Sequence, residues 1–192
     1  MAIDCNPGFF VRGEFKGPLA FASEIFPDER GFFTESWNQK RFNNLLGQEI
    51  NFVQDNHSLS TFGVLRGLHF QVSPHSQGKL IRCLEGEIYD VGVDLRTNSP
   101  TFGSWFGINL SSSNQKQIWL PSGFAHGFLT LSNQAQVIYK VTEFWDKETE
   151  MSLLWNDPSI SIKWPLTLDS PKISPKDNKA KCLDEIYDFL FF

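Results

Sequence analysis

Short apolar runs recur along the chain, and Gly, Pro, Asn and Ser interrupt them at close intervals. That rhythm predicts strands in an all-β sandwich or barrel. The clearest alternation lies between Leu80 and Leu95. Residues 80–84 lead through Glu85-Gly86-Glu87 into residues 88–94, which reads as a hairpin. In its second arm Tyr89, Val91, Val93 and Leu95 fall on one face, predicted as core. Ile88, Asp90, Gly92 and Asp94 fall on the other, predicted as a polar lining. Strict alternation farther upstream places Leu65, Gly67 and His69 opposite Arg66, Leu68 and Phe70. Arg66 and His69 can share a pocket only if the strand bulges, and Gly67 is the predicted position. One helix is expected over residues 38–46, where Phe42, Leu45 and Leu46 share a face and Gly47 supplies a stop. Beyond Pro165 the chain turns polar, and a short helix is expected near residues 183–190. The pattern therefore predicts one domain over residues 1–192. It has a β core from about 8 to 165, a C-terminal segment (166–192) packing on it, and a few short peripheral helices. A barrel-like jelly roll of this kind encloses a cavity suited to a small molecule.

Composition narrows the class. The length suits one well-packed domain, and the many Phe residues favour pleated sheet. A net charge of −5 argues against nucleic acid as a partner, so an anionic ligand needs a local cluster of Arg and Lys. Cys5, Cys83 and Cys182 are odd in number and widely spaced, which predicts neither a disulfide framework nor a zinc site and fits a cytoplasmic protein. The N-terminal residues lack a signal-peptide pattern, and no apolar run is long enough to span a membrane.

Four histidines are present: His57, His69, His75 and His126. The plainer reading of any one is a hydrogen-bonded structural residue. A metal site on a jelly roll would show two histidines one residue apart, on the same strand face. Gly67 and Gln71 stand where that second ligand of His69 would be, so no metal is expected. General acid–base catalysis needs a base, an acid across the substrate and donors for a developing oxyanion. His69 is a candidate base, since free imidazole titrates near ~6.5. Tyr139 is a candidate acid, with a phenol protonated at neutral pH. Lys79 and His126 are candidate oxyanion partners. Against these roles stand a core aromatic for Tyr139 and a solvated edge-strand lysine for Lys79. Arg66 and Arg30 suit phosphate recognition. Phe33 could stack on a nucleobase and Glu35 accept from its ring N–H, although a hairpin turn at Arg30-Gly31 followed by a strand with core Phe accounts for that stretch better.

Taken in order, several long segments resemble the dTDP-4-dehydrorhamnose 3,5-epimerase family. They include Phe26-Pro27-Asp28-Glu29-Arg30-Gly31-Phe32-Phe33-Thr34-Glu35-Ser36 and Phe52-Val53-Gln54-Asp55-Asn56-His57-Ser58. Gly63-Val64-Leu65-Arg66-Gly67-Leu68-His69-Phe70-Gln71, Gln77-Gly78-Lys79-Leu80-Ile81-Arg82-Cys83 and Ser99-Pro100-Thr101-Phe102-Gly103 follow. Pro121-Ser122-Gly123-Phe124-Ala125-His126-Gly127-Phe128, Tyr139-Lys140 and Trp155-Asn156-Asp157-Pro158 complete the set. The resemblance runs from about residue 20 to 177. It implies a cupin-type jelly roll without metal, working as a homodimer on dTDP-4-keto-6-deoxy-D-glucose to give dTDP-4-keto-L-rhamnose. By position, His69 resembles the family's base, Tyr139 its acid, Asp177 the carboxylate paired with the base, and Lys79 the residue facing the C4 oxygen. Gln54, Asn56, Arg66 and His126 match substrate-contacting positions. Arg30, Phe33 and Glu35 match positions that reach the nucleotide of the neighbouring subunit, which implies a shared active site. The chain departs from the pattern at Phe144-Trp145, where many relatives carry a Tyr pair, although Trp145 can still stack on base or sugar. No cofactor is implied, and no dinucleotide fingerprint is present. Relatives that invert only one carbon share this framework, which leaves a single-position epimerase or a non-catalytic sugar-nucleotide-binding cupin as alternatives.

Overall fold

The computed structural model describes residues 4–5, 17–166 and 170–192. The expected start of the β core near residue 8 lies outside them. In chain order the elements are β1 (Asp4–Cys5), β2 (Leu19–Ala22), β3 (Ile25–Asp28), β4 (Gly31–Thr34), helix α1 (Gln39–Leu46), β5 (Gln54–Thr61) and β6 (Leu65–Gln71). There follow β7 (Lys79–Glu85), β8 (Glu87–Asp94), β9 (Trp105–Ser111), β10 (Lys116–Leu120), β11 (Phe124–Thr130), β12 (Gln134–Val141) and β13 (Glu150–Ser152). The C-terminal segment holds two 3-10 turns (Asp177–Lys179 and Tyr187–Phe189) around the short helix α2 (Leu183–Ile186).

The strands form the two facing sheets of a cupin-like jelly roll. One runs β1-β9-β8-β11-β6-β13 and the other β2-β10-β7-β12-β5, with β3 and β4 as a separate hairpin. Every pairing between these strands is antiparallel. Apolar side chains including Ile81, Ile88, Phe106, Ile118, Leu120, Phe128 and Val137 fill the space between the sheets. A second core covers the outer face of the six-stranded sheet. There Leu65, Leu68, Val91, Val93 and Leu153 meet Ile186 and Leu190 of the C-terminal segment. On the outer face of the other sheet, α1 presses Phe42 against Leu80 and Trp119, with the Phe42 and Trp119 rings edge to face at 5.5 Å.

Helix α1 forms as its sequence predicts. The Asn38 side chain caps it by accepting from the Arg41 amide, and Gly47 ends it in the left-handed conformation at φ 67°. Leu45 departs from expectation, for it turns to solvent while Phe42 carries the contact.

The expected hairpin at residues 80–95 is not one. Strand β7 lies in the five-stranded sheet and β8 in the six-stranded sheet. Gly86 (φ +76°) carries the chain across the gap, and a Cβ there would meet the Gln134 carbonyl at 2.1 Å. Glu85-Gly86-Glu87 is thus a sheet-to-sheet corner, since a short Gly turn serves either purpose. β8 also departs from an apolar-in, polar-out strand. Both of its faces are buried, because one meets the inter-sheet core and the other the C-terminal segment.

Candidate active site

The inter-sheet core leaves one end of the sandwich open as a cavity of about 570 Å³. Its lining comes from both sheets. Strand β5 turns Gln54, Asn56 and Ser58 inward while Asp55, His57 and Leu59 face solvent. β6 supplies Arg66, His69 and Gln71, β7 Lys79, β11 His126, β12 Tyr139 and β13 Glu150. Phe144 and Trp145 stand exposed at its margin. The cavity therefore gathers His69, Tyr139, Lys79, Gln54, Asn56, Arg66, His126 and Trp145, with Asp177 directly behind His69.

Arg66 and His69 reach the same space because β6 slips. His126 of β11 faces His69, but Phe128, only two residues on, faces Arg66. The additional residue is taken up where Gly67 was expected to allow it. Gly67 sits at φ +118°, and a Cβ there would lie 2.6 Å from Gly127 Cα. Ser60 Oγ and the Leu59 carbonyl accept from the Arg66 guanidinium at 2.8 and 3.1 Å and hold it against the wall.

His69 Nε2 and Asp177 Oδ1 are 2.6 Å apart. The Gly67 amide donates to Asp177 Oδ2 at 3.3 Å, and Ser174 Oγ accepts from the Asp177 amide at 3.0 Å. Burial pushes the Asp177 carboxyl up, but the hydrogen bond and charge of His69, with Gly67 and Ser174, outweigh it and leave it below its ordinary value. An ionised carboxylate on Nε2 fixes a proton there, so Nδ1 is the nitrogen left to act as base. Tyr139 projects from the opposite sheet. Burial first, and the charge of Glu150 after it, hold its phenol above the usual range against the pull of Arg66. It is a proton donor at neutral pH.

Lys79 is no solvated edge lysine. Its strand is internal to the sheet and the residue is 5% exposed. Its ammonium donates to the His69 carbonyl at 2.9 Å. Burial lowers its pKa to about 8, against the opposing charges of Glu150 and Asp90.

Several groups in the cavity wall or behind it were not picked out from sequence. Asp90, fully buried, shares a 2.8 Å hydrogen bond with His126 Nε2. Burial raises its pKa against the charges of His126 and Lys79. Its position on the predicted polar face of residues 88–94 was the available signal. The Gln71 side chain donates to the His75 and Phe144 carbonyls and accepts from the Asp146 amide, which ties down the loop that carries Trp145. Ser58 Oγ, buried in the wall, has no hydrogen-bond partner among the described residues. Glu150, also unpredicted, is bound by Lys176 at 2.6 Å.

Arg30, Phe33 and Glu35 do not line this cavity. They lie on and beside the β3–β4 hairpin, where Phe33 is 69% exposed and Ile25, Phe26 and Phe32 are also bare. The expected turn at Arg30-Gly31 is present.

The arrangement offers a base and an acid on opposing sheets, with a cation between them and hydrogen-bonding groups around. That set can move a carbon-bound proton from one face of a substrate to the other.

Comparison with known proteins agrees with this chemistry. Residues 12–185 match the family model described as dTDP-4-dehydrorhamnose 3,5-epimerase. A protein of that name from Shigella flexneri is 52% identical over 178 residues, covering 92% of this chain and 97% of the relative. The crystal structure of dTDP-6-deoxy-D-glucose-3,5-epimerase from Legionella pneumophila, in complex with dTDP-4-keto-L-rhamnose, is similar with a TM-score of 0.88 and 45% identity, over 99% of this chain and 97% of that one. A dTDP-4-dehydrorhamnose 3-epimerase from Streptomyces niveus is more distant, at 37% identity over 90% of this chain and 83% of its own length.

Proposed function

Since the chain belongs to the dTDP-4-dehydrorhamnose 3,5-epimerase family, and is thus an isomerase, we propose that it inverts C3 and C5 of dTDP-4-keto-6-deoxy-D-glucose to give dTDP-4-keto-L-rhamnose. The C4 ketone acidifies the protons on both neighbouring carbons, because the carbanion formed spreads onto oxygen as an enolate. His69 Nδ1 removes a proton from one face, and Asp177 stabilises the imidazolium that results. Lys79 holds the enolate oxygen, a fixed electrostatic contribution of about 3 kcal/mol or more to the barrier. Tyr139 returns a proton from the opposite face, which inverts the carbon. Gln54, Asn56, Arg66 and His126 orient the sugar and phosphates, and Trp145 stacks at the mouth. The observation that carries this reading is the His69–Asp177 pair set across one cavity from Tyr139.

The bare β3–β4 hairpin supports a homodimer in which Arg30, Phe33 and Glu35 complete the partner's nucleotide site. Light scattering tests the dimer, and Phe33→Ala is expected to raise KM in an enzyme that remains dimeric. No helix among the described residues is long and apolar enough to cross a membrane, and the reading places the enzyme in the cytoplasm.

Deuterium uptake tests the reaction. The protein is incubated in D2O with the 4-keto sugar nucleotide, and the product is read by NMR and mass spectrometry. Label at C3 and C5 with inverted configuration is the expected result. Label at one carbon makes it a single-position epimerase, and none above the uncatalysed background refutes catalysis on this sugar.

A further inference from the structure

Phe144 and Trp145 ride the loop between β12 and β13, and both rings are more than half exposed. Apolar burial therefore does little to hold them. Glutamine side chains grip the backbone of this loop instead. Gln77 Nε2 donates to the Glu143 carbonyl at 2.7 Å, and Gln71 Nε2 donates to the Phe144 carbonyl at 3.1 Å. The Trp145 amide donates to Gln54 Oε1 at 3.1 Å, and the Asp146 amide to Gln71 Oε1 at 2.9 Å. Gln71 also donates to the His75 carbonyl at 2.6 Å, in the loop that follows β6. Gln54 belongs to the five-stranded sheet and Gln71 to the six-stranded one, so the loop is tied to both walls of the sandwich. The partners of Gln71 settle the orientation of its amide. Both hydrogens on Nε2 meet carbonyl oxygens and Oε1 meets an N–H, whereas the turned amide would set its oxygen against two others. Gln71 and Gln77 are buried, so neither can exchange these partners for bulk water without cost.

We propose that Gln71 and Gln77 are positioning residues of this reaction: with Gln54 they clasp the β12–β13 loop and set the Trp145 ring at the cavity mouth before substrate arrives. The inference rests on the epimerase reading, in which that ring stacks on the substrate. A ring that must be ordered during binding loses part of its contact energy to its own lost freedom. A ring held beforehand does not. The clasp thus acts on substrate affinity and leaves proton transfer at His69 and Tyr139 alone. Gln71 stands two residues past His69 on β6 and joins the loops on either side of the mouth, since His75 and Phe144 accept from the same nitrogen.

The test is Gln71→Met in the full chain, a change that keeps length and removes the hydrogen bonds. Two readouts are taken: steady-state kinetics on dTDP-4-keto-6-deoxy-D-glucose, and 19F NMR of the ligand-free protein labelled with 5-fluorotryptophan, with Trp145→Phe to assign the resonance. Gln71→Met is expected to move the Trp145 line towards that of the free amino acid and to raise KM roughly three- to tenfold, with kcat within about twofold of the parent. In a Trp145→Ala background the same change should alter KM by less than about twofold, because the clasp acts through that ring. A merely structural role would multiply the two effects. Gln77→Met makes the same predictions and serves should Gln71→Met not fold. An unmoved Trp145 line, an unchanged KM, or effects that multiply overturn the proposal. If the parent protein fails to label the sugar in D2O, the epimerase reading falls, and the Trp145 line still judges the clasp separately.

Discussion

Replacing Asp177 with Asn tests the base assignment most directly. The side chain keeps its volume but loses its charge, and it can no longer accept from both His69 Nε2 and the Gly67 amide with its two oxygens. With the contact at 2.6 Å, the charge centres of an imidazolium–carboxylate pair lie roughly 4 Å apart. At an effective dielectric of ~20 that is worth about 4 kcal/mol. The His69 side chain is 34% exposed, and solvent screening reduces this to about 2–3 kcal/mol. Because the imidazolium forms only as the proton leaves carbon, the loss falls on the transition state. A decrease in kcat of roughly 30- to 150-fold is expected, with KM little changed. The assay is the initial rate of deuterium entry at C3 and C5 by NMR, at saturating substrate. A parallel urea titration confirms the fold. The sign of the pH effect follows as well. Asp177 is held below its ordinary pKa, so it adds stability that is fully present above the unfolded carboxyl's titration near ~3.9 and is lost as pH falls through the folded value. Asp177→Asn should flatten the acid side of the stability curve. A variant exchanging within about threefold of the parent would refute the dyad.

Lys79 makes the opposite prediction. Its pKa falls from 10.5 to about 8, so between those values the unfolded chain binds more protons and stability rises with pH. The charged form costs about 3 kcal/mol at pH 7. Lys79→Met is expected to lose turnover yet gain about 1–2 kcal/mol in urea unfolding, since Asp90 and Glu150 lose a counter-ion; a less stable variant with the parental pH dependence contradicts this. Gly67→Ala forces a Cβ to within 2.7 Å of the His126 carbonyl at φ +118°. It should cost about 3 kcal/mol in the same assay, and an unchanged midpoint would show that the bulge is not needed. Trp145→Ala removes an exposed ring at the mouth and should raise KM roughly tenfold at near-constant kcat. Steady-state kinetics decide this, and a fall in kcat alone speaks against stacking.

What sequence disclosed here follows the range of each interaction. The α1 stop at Gly47, and the kink at Gly67, depend on neighbours in the chain and were legible there, whereas the Asn38 cap went unread. Asp177 lies more than a hundred positions from His69, and only the family resemblance joined them. The Asp90–His126 pair had no such guide. Glu85-Gly86-Glu87 misled because a turn between two strands looks alike whether they pair or part into different sheets. The burial of Lys79 was hidden for a related reason. Whether a strand is edge or interior depends on β10 and β12, which arrive later in the chain.

The double burial of β8 bears on how the sheet finds its pairing. In a strand with one wet face, a slip by one residue exposes the apolar set, and the error is costly at once. Here both faces meet apolar cores, so hydrophobicity alone scarcely separates the correct register from its nearest decoy. Two acids break the tie. Asp90 has His126 to receive it, while Asp94 is gripped by Arg96, Ser99 and Thr101. A one-residue slip would drive each carboxylate into the core formed with the C-terminal segment, stripped of those donors. The same aspartate that serves the cavity thus doubles as an alignment pin for the assembling sheet.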